Sequence, residues 1–422
     1  PAACGLLAFT GWPPSEGLKM ALIVQKFGGT SVANAERVFN VARIITETHQ
    51  AGNSVVAVVS AQGDTTDDLI EKANEINPAG SKREMDVLLS TGEQISMALV
   101  AMAVQKLGFP VVSLTGPQAG MRTDNTYGNA RISRIDTERI QAELGKGKIV
   151  IVAGFQGLNR YDDITTLGRG GSDTTAVAFA AALDADLCQI YTDVDGVYTA
   201  DPRIVKDAHK LNEISYDEML ELASLGAQVL HNRSVEMAKR YQVDLEVLSS
   251  FQKIQGTKVK EVVQVEKMLI RGVARDNDVA RISIIGLPDQ PGTAYRIFSL
   301  LAKAKINVDV ILQSIGRDGT KDVSFTVGKS SLDEALSLLH EHLESIGGCS
   351  LTHDSDISKV SIVGAGMTTH AGVAATMFEA LYEAGINIQM ISTSEIKVSV
   401  LIAREDAERA VKVVHNAFHF DD

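Results

Sequence analysis

The stretch Leu22-Ile-Val-Gln-Lys-Phe-Gly-Gly-Thr-Ser31 decides the fold of the first half of the chain. Its first six residues are largely apolar and β-branched, which predicts a buried strand over 22–27. The two glycines let the backbone turn, and a pattern of helical period follows over 33–50. A buried strand that leads through a glycine turn into a helix is the unit from which parallel α/β sheets are built.

Similar units follow as far as residue 262. The predicted strands are 54–60, 111–114, 148–155, 187–192 and 243–248, and the helices between them include 84–107, 174–183 and 216–241. Ser215 and Glu218 form a capping box at the start of the last helix. Continuous apolar strands separated by helices predict an α/β fold with a mainly parallel sheet that helices cover on both faces.

The tail, from about residue 265, contains an internal repeat. Arg281-Ile-Ser-Ile-Ile-Gly286 matches Lys359-Val-Ser-Ile-Val-Gly364, and Ala304-Lys-Ile-Asn307 matches Ala384-Gly-Ile-Asn387. The order of strands and helices in each copy is typical of a ferredoxin-like βαββαβ module. Two such modules can pack together and bind a small ligand between them, or the duplication has a structural role alone.

Length and charge limit the classes of function. The 422 residues suffice for two or three domains, and 40 Lys and Arg against 53 Asp and Glu give a net charge of −13. An acidic surface argues against nucleic-acid or anionic-membrane binding, and no apolar run approaches the ~18 residues of a membrane span. Three widely spaced cysteines indicate a reducing compartment. We predict that residues 1–19 are an expression leader before a natural start at Met20; a genuine N-terminal extension is the alternative.

Two glycine-rich segments are candidate anion sites. In Lys26-Phe-Gly-Gly-Thr-Ser31 the glycines let the backbone approach phosphate oxygens, the helix start offers free N–H groups, and Lys26 supplies a charge. The spacing is not that of a Walker loop, and a plain strand-to-helix turn is the alternative. In Thr165-Thr-Leu-Gly-Arg-Gly-Gly-Ser-Asp173, Arg169 can grip a carboxylate and the glycines expose backbone donors. Asp173 alone would be an ordinary helix cap.

A third segment, Tyr191-Thr-Asp-Val-Asp-Gly-Val-Tyr-Thr-Ala-Asp-Pro-Arg203, follows a predicted strand. It therefore lies at the carboxyl edge of the sheet, where α/β folds bind ligands. Its Asp and Thr side chains can bond a nucleotide, Tyr198 can pack on a base, and Arg203 can reach phosphate. The segment lacks the third acidic position and closing Glu of an EF-hand, and an Asx-rich turn is the alternative. No histidine or cysteine spacing indicates a metal site.

In this order the motifs resemble those of the aspartate kinase (aspartokinase) family, within the amino-acid-kinase superfamily, with two C-terminal ACT domains. The markers are Lys26–Ser31, Ser60, Thr91-Gly-Glu93, Gly168–Asp173, Thr192–Tyr198 and the duplicated tail. The resemblance spans Met20 to the C-terminus. It implies a catalytic amino-acid-kinase domain over 20–262 and ACT domains over 266–346 and 357–422.

The resemblance implies an activity and a set of roles. The family transfers a phosphoryl group from MgATP to L-aspartate, giving 4-phospho-L-aspartate for lysine, threonine, methionine and isoleucine synthesis. Lys26 and Asp173 would be catalytic. Residues expected to bind aspartate are Ser60, Thr66, Glu93, Arg169, Gly170, Gly171 and Ser172. Residues expected to bind ATP are Lys26, Gly28, Gly29, Thr30, Ser31, Thr192, Asp193, Tyr198, Asp201 and Arg203.

The family also implies feedback control by lysine, threonine or both at the ACT repeats. Expected effector contacts are Asp289, Gly292, Ala294, Asn307, Val308, Asp309 and Gln313 in one copy, with Val373, Ala374, Asn387, Ile388, Ser394 and Glu395 in the other. The enzyme would be cytoplasmic, use ATP and Mg²⁺, and form a dimer or tetramer through these domains. One departure is Gln228, where many relatives carry a lysine near the nucleotide. A non-catalytic amino-acid sensor and a kinase of glutamate or acetylglutamate are the alternatives.

Overall fold

The structure, a computed structural model, describes residues 20–224, 229–261, 270–314, 319–368 and 372–418. The leader prediction for residues 1–19 and the substitution at Gln228 lie outside these ranges. The described chain forms an α/β domain followed by two smaller antiparallel sheets with helices.

The central sheet has eight strands, with the first strand of the sequence in its middle. Its order is β10 (Glu213–Ser215), β12 (Thr257–Lys260), β11 (Leu245–Ser249), β9 (Leu187–Thr192), β1 (Leu22–Phe27), β2 (Ser54–Val59), β6 (Ile149–Ala153) and β3 (Val111–Leu114). All neighbouring strands are parallel except β11 and β12. Consequently the carboxyl ends of β1, β2 and β9 lie at one edge of the sheet.

Helices cover both faces of this sheet, as predicted. Val55, Ala57 and Val59 on β2 join one core with helices α1 (Ala35–Gln50) and α3 (Lys82–Lys106), whereas Val56 and Val58 join the other core. The opposite core holds the helices α5 (Gly171–Ala182), α6 (Tyr216–Ser224) and α7 (Asn232–Tyr241). The remaining helices of the domain are α2 (Thr65–Ile76) and α4 (Glu138–Leu144).

Two features of this domain differ from the sequence prediction. The single helix expected over 216–241 is wrong, because the chain is non-helical at 229–231 and His231 caps α7 in an extended conformation. The predicted capping box of Ser215 and Glu218 is confirmed, with reciprocal bonds of 3.1 and 3.3 Å. A second, small sheet was not predicted; its order is β5 (Ile132–Ile135), β4 (Met121–Thr123), β7 (Gln156–Leu158) and β8 (Ile164–Thr166).

The helix α3 satisfies, by length and composition, the test for a membrane-spanning helix, and it is the one helix to do so within the described ranges. The run is not evident in the sequence as a continuous apolar stretch because Glu93 interrupts it. In the structure one side of α3 packs on the sheet through Val100 and Val104, as core helices do. The same helix carries Glu93 inside the domain.

The tail forms two ferredoxin-like modules, which confirms the predicted fold class. The first contains β14 (Ala280–Pro288), α8 (Thr293–Lys303), β15 (Ile311–Gln313), β16 (Thr320–Val327), α9 (Leu332–Ile346) and β17 (Ser350–Asp354). The second contains β13 (Gly272–Asp276), β18 (Ile357–Val363), α10 (Val373–Glu383), β19 (Met390–Thr393), β20 (Lys397–Ala403) and α11 (Ala407–Ala417).

The sheets do not follow a linear division of the tail. The strand β13 precedes the first module in sequence, yet it pairs antiparallel with β18 of the second. There it takes the edge place that β17 takes beside β14 in the first module. The predicted domain bounds, 266–346 and 357–422, therefore place β13 in the first module although it joins the sheet of the second. They also leave out β17.

Candidate active site

A lysine and an aspartate meet at the carboxyl edge of the sheet. Lys26 lies near the end of β1, and Asp173 lies in the first turn of α5. The Lys26 Nζ and Asp173 Oδ1 atoms are 2.7 Å apart, and each side chain is 12% exposed. The contact lacks the angles of a directional hydrogen bond, so it is an ionic contact. Both residues were predicted from their motifs, and the fold brings them together from positions 147 apart.

A cavity of about 310 Å³ opens beside this pair. The predicted residues that line it are Lys26, Gly28, Gly29, Ser60, Thr66, Glu93, Arg169, Gly170, Gly171, Ser172 and Asp173. Four lining residues were not among the predicted contacts: Ala61, Gly63, Phe155 and Gly168. The volume suits a small amino acid with the end of a polyphosphate rather than a large apolar ligand.

The loop before α5 is shaped by glycines. Gly168 and Gly170 have φ of 79° and 66°, the left-handed region that side chains disfavour. A Cβ on Gly170 would lie 2.2 Å from the His231 ring, and one on Gly171 would lie 2.7 Å from Phe155. The backbone can therefore pass between these two rings only without side chains. The free N–H groups at the start of α5 face the same region as Lys26 and favour an anion.

A buried carboxylate that the sequence analysis missed holds this loop. Asp86 on α3 is fully buried and accepts hydrogen bonds from the Gly128 N–H at 2.9 Å, the Thr166 N–H at 3.0 Å and the Thr166 hydroxyl at 2.7 Å. Burial raises its pKa, and these donors oppose the shift. Asp86 thus fixes the end of β8, two residues before Gly168, and is a positioning residue.

Glu93 projects from α3 into the cavity. It is 4% exposed, and its Oε1 accepts a 3.2 Å hydrogen bond from the Ala61 N–H. Its Oε2 is buried and has no partner among the described residues. Burial raises the pKa of Glu93 to about 7. A buried carboxylate oxygen without a donor, beside a cavity, is suited to receive a cationic group from a ligand.

Arg169 is exposed at the rim of the cavity. It makes no ion pair with any residue that the structure describes. Its guanidinium is therefore available for a ligand carboxylate, which the planar fork can bind through two parallel hydrogen bonds. Ser60, directly after β2, and Thr66, at the start of α2, also line the cavity.

The predicted nucleotide residues form a second group beyond the cavity. Thr192 is the last residue of β9 and Asp193 follows it; the carbonyl of Tyr191, also on β9, accepts a 3.3 Å hydrogen bond from the Gly28 N–H. The remaining predicted residues make contacts of their own: Tyr198 donates to Asp195, Arg203 pairs with Asp201, the Ser31 hydroxyl pairs with Ser250, and the Thr30 carbonyl accepts from Arg37. None of these lines the 310 Å³ cavity, although β9 and β1 adjoin.

The segment that follows Tyr198 packs directly against the second tail module. The Thr199 hydroxyl lies 2.9 Å from Nε2 of His415 on α11, and the Thr199 carbonyl accepts a 2.7 Å bond from the Val273 N–H of β13. Ala200, Ile204 and Val205 are buried in one hydrophobic core with that module. The candidate nucleotide segment and the tail are therefore in contact.

The candidate effector residues occupy equivalent places in the two modules. Gly292 and Gly372 cap α8 and α10 with φ of 94° and 108°, and Asn307 and Asn387 are both exposed before the edge strands β15 and β19. Asp289 pairs with Lys321, whereas Asp309 pairs with Lys359 of the other module. The other predicted positions are Ala294, Val308 and Gln313, with Val373, Ala374, Ile388, Ser394 and Glu395. They too lie along these helix starts and edge strands.

Comparisons with known proteins agree with this architecture. Residues 21–249 match the amino acid kinase family, and residues 282–343 and 360–418 match the ACT domain. The aspartokinase of Mycolicibacterium smegmatis is 52% identical over 405 residues, covering 94% of this chain and 96% of that protein. The aspartate kinase of Pseudomonas putida is 50% identical over 404 residues, covering 95% of this chain and 98% of that protein.

A solved structure matches over nearly the whole chain. Escherichia coli aspartokinase III, in complex with aspartate and ADP, is 28% identical with a TM-score of 0.81, covering 94% of this chain and 99% of that one. The same enzyme with lysine and aspartate gives a TM-score of 0.73.

The parallel sheet, the glycine loops and the Lys26–Asp173 pair define a kinase domain of the amino acid kinase class, joined to paired ACT domains. The chain belongs to the aspartokinase family.

Proposed function

We propose that this kinase transfers the γ-phosphoryl group of ATP to the side-chain carboxylate of L-aspartate, giving 4-phospho-L-aspartate and ADP. The observation that carries the proposal is the Lys26–Asp173 ion pair at one cavity with Arg169 and the unpaired oxygen of Glu93. Support comes from Escherichia coli aspartokinase III, which binds aspartate and ADP.

The chemistry requires positioning rather than a base. An aspartate carboxylate has an ordinary pKa near ~3.9, so it is already a nucleophile at pH 7. One carboxylate oxygen forms a bond to the γ-phosphorus while the bond to the ADP oxygen breaks. Both reactants are anions, so Lys26 and the N–H groups of Gly29 and Ser172 stabilise the charge on the transferring group. Asp173 holds the Lys26 ammonium in place.

Mg²⁺ fits this arrangement as a companion of the nucleotide. No group of three His, Cys, Asp or Glu able to hold a metal occurs among the described residues. Mg²⁺ in phosphoryl-transfer sites is held mainly by substrate phosphates, with one or two carboxylates, so a protein cage is not required. Bound with the nucleotide, the ion would neutralise phosphate charge. Asp193, two residues after the Tyr191 carbonyl that accepts from the Gly28 N–H, is the carboxylate that would hold it.

Aspartate would lie with its ammonium against Glu93 and a carboxylate against Arg169. The ammonium supplies the donor that the buried Glu93 Oε2 lacks. Ser60, Thr66, Gly170, Gly171 and Ser172 complete the pocket. ATP would reach the cavity from the β9 side, past Thr192, Asp193 and Tyr198, with Asp201 and Arg203 at the far end of that segment.

The pH dependence of aspartate binding follows from Glu93. Its pKa of about 7 in the free enzyme means that it must lose a proton before it pairs with an ammonium. We expect KM for aspartate to rise about tenfold per pH unit as pH falls below 7, and to level off above it. The measurement is kcat/KM from pH 5.5 to 8.5. Glu93→Gln should have a higher KM without this slope; the same slope in that variant would contradict the assignment.

A hydroxamate assay tests the proposed reaction. An acyl phosphate reacts with hydroxylamine, so the chain with MgATP and L-aspartate should give aspartyl hydroxamate. Glutamate and acetylglutamate, assayed at equal concentrations, should give at least about 100-fold less product per unit enzyme, because an extra methylene moves the reacting carboxylate. No product with any substrate would indicate a non-catalytic amino-acid sensor. Preference for a longer acid would indicate a different carboxylate kinase.

Regulation would act through the ACT domains. We infer that lysine, threonine or both bind there and inhibit the enzyme, in the cytoplasm, at the first step towards lysine, threonine and methionine. Support comes from Escherichia coli aspartokinase III, which has been solved with lysine. The domains would also join copies of the chain into a dimer or tetramer.

The contact of Thr199 with His415 gives this regulation a physical route. Thr199→Val removes the hydroxyl that pairs with His415 and accepts from the His209 N–H. We expect the inhibitor concentration for half-inhibition to rise about 5- to 50-fold, because the coupling of two sites is typically worth 1–3 kcal/mol. Thr199→Ser, which keeps the hydroxyl, is the matched control. If inhibition in Thr199→Val were unchanged while the KM for ATP stayed normal, this contact would not transmit inhibition from the ACT domains to the kinase domain.

A further inference from the structure

One guanidinium holds two separate segments of the chain at the base of the glycine loop, residues 168–171. Arg233, the second residue of α7, donates from Nη1 to the Leu167 carbonyl at 2.9 Å and from Nη2 to the Ala130 carbonyl at 2.7 Å. The side chain is half-buried, and it forms no ion pair within the described ranges. The guanidinium is a rigid plane, so Arg233 fixes the distance between the two carbonyls.

The two segments that Arg233 joins also contact each other where the glycine loop begins. Leu167 directly precedes the loop in sequence. The Ala130 N–H donates to the Thr166 carbonyl at 2.8 Å, so the segment of Ala130 lies directly beside the start of the loop. Because Arg233 binds a carbonyl in each segment, the loop cannot separate from the segment of Ala130 without breaking a hydrogen bond to a charged group.

The start of α7 contacts the glycine loop a second time. The Arg233 N–H donates to Nδ1 of His231 at 3.4 Å. A Cβ on Gly170 would lie 2.2 Å from the His231 ring, so the ring already packs on the loop backbone. Arg169 lies between these two anchor points, and its own side chain is exposed at the rim of the cavity. The start of α7 therefore fixes the backbone of Arg169 and leaves its guanidinium free.

We propose that Arg233 is a positioning residue for the amino-acid substrate: through the backbone of the glycine loop it sets the place of the Arg169 guanidinium relative to Glu93. Arg233 is not among the residues that line the cavity, so it acts through Arg169. The inference rests on the proposed function, in which Arg169 and Glu93 bind a carboxylate and the ammonium of aspartate. A misplacement of about 1 Å can cost up to about 100-fold in rate.

A double-mutant cycle tests whether Arg233 acts through Arg169. Arg233→Met keeps an apolar stem but removes both donors, so KM for aspartate should rise about tenfold while kcat changes less than about threefold. In the Arg169→Ala background the same substitution should raise KM less than about twofold, because the group that it misplaces is already absent. A tenfold rise in both backgrounds, or an unchanged KM in Arg233→Met, would overturn the proposal.

Two further variants control for the change on α7. Arg233→Lys keeps the charge without the planar fork, so its KM should lie between those of the unchanged enzyme and Arg233→Met. Arg240→Met removes an exposed guanidinium from the same helix, where it lies over the Tyr241 ring, and should leave KM unchanged. If Arg240→Met raised KM as much as Arg233→Met, the effect would belong to the helix as a whole and the proposal would be wrong.

Hydrogen–deuterium exchange of the full chain without substrate tests the contact independently of catalysis. In Arg233→Met, peptides that cover 128–131 and 165–171 should exchange at least about fivefold faster, because local opening no longer has to break the two bonds. Peptides of β1 should exchange at the unchanged rate. Unchanged exchange over 165–171, or a rise that includes β1, would overturn the proposal.

The hydroxamate assay of the unchanged chain separates the two proposals. If the unchanged chain gave no aspartyl hydroxamate, the proposed reaction would be wrong, and the role of Arg233 in binding aspartate would be wrong with it. If the unchanged chain gave product and Arg233→Met showed normal KM and normal exchange, the role of Arg233 alone would be wrong.

Discussion

Lys26→Ala should lower kcat at least about 100-fold, with a smaller change in KM for aspartate. In the proposed mechanism Lys26, near the end of β1, is the cation that meets the transferring phosphoryl group, and removing one such donor costs about 10²–10³ in kcat. The loss falls on kcat because the charge on the phosphoryl oxygens is redistributed in the transition state. Steady-state kinetics at saturating MgATP measure it.

Two variants separate this effect from a loss of structure. Removing Lys26 leaves Asp173, which is 8% exposed, without its cation, so thermal unfolding must be recorded alongside the rate. Lys148→Ala also breaks an ion pair, with Glu143, in the same domain but outside the cavity, and should leave kcat unchanged. A near-normal kcat in Lys26→Ala would remove Lys26 from the mechanism.

Arg169→Ala should raise KM for aspartate about 10- to 100-fold while kcat changes much less. Arg169 is exposed at the rim and unpaired among the described residues, so its charge is free for a substrate carboxylate. A hydrogen bond to a charged group is worth about 1.5–3 kcal/mol, and each 1.36 kcal/mol is a factor of ten. Substrate titrations of initial rate at fixed MgATP would measure the change.

Arg169→Lys should have a KM for aspartate between those of the unchanged enzyme and Arg169→Ala, because an ammonium keeps the charge but loses the bidentate geometry. Arg160→Ala is the matched control: this arginine is also exposed on the kinase domain, but it lies over the ring of Tyr161 and outside the cavity. If Arg169→Ala and Arg160→Ala had the same KM, Arg169 would not bind the substrate carboxylate.

The long elements of the fold were predictable because each carries its own pattern. Leu22–Phe27, Val111–Leu114 and Leu187–Thr192 have the bounds that their β-branched runs predict. The small sheet was not predicted, because strands such as Met121–Thr123 and Gln156–Leu158 are three residues long and too short to show a period of hydrophobicity.

The chemistry of the site was predictable where glycines and charges adjoin in sequence. The residues that position the site were not predictable, since they are distant from it in sequence and contact it only in the folded chain. Asp86 and Thr166 are eighty residues apart, and an aspartate inside a helical pattern gives no sign of its partner. The His231 ring beneath Gly170 belongs to another helix start. The pairing of β13 with β18 crosses an entire module, and periodicity carries no information about partners.

A crystal structure with L-aspartate and a non-hydrolysable ATP analogue tests the central claim most directly. The account predicts the side-chain carboxylate of aspartate in line with the terminal phosphoryl group, Lys26 Nζ within about 3 Å of that group, and Glu93 and Arg169 on the amino-acid end. The account would be contradicted if both ligands were well ordered at a place outside this cavity. It would also be contradicted if aspartate bound with its side chain turned away from Lys26.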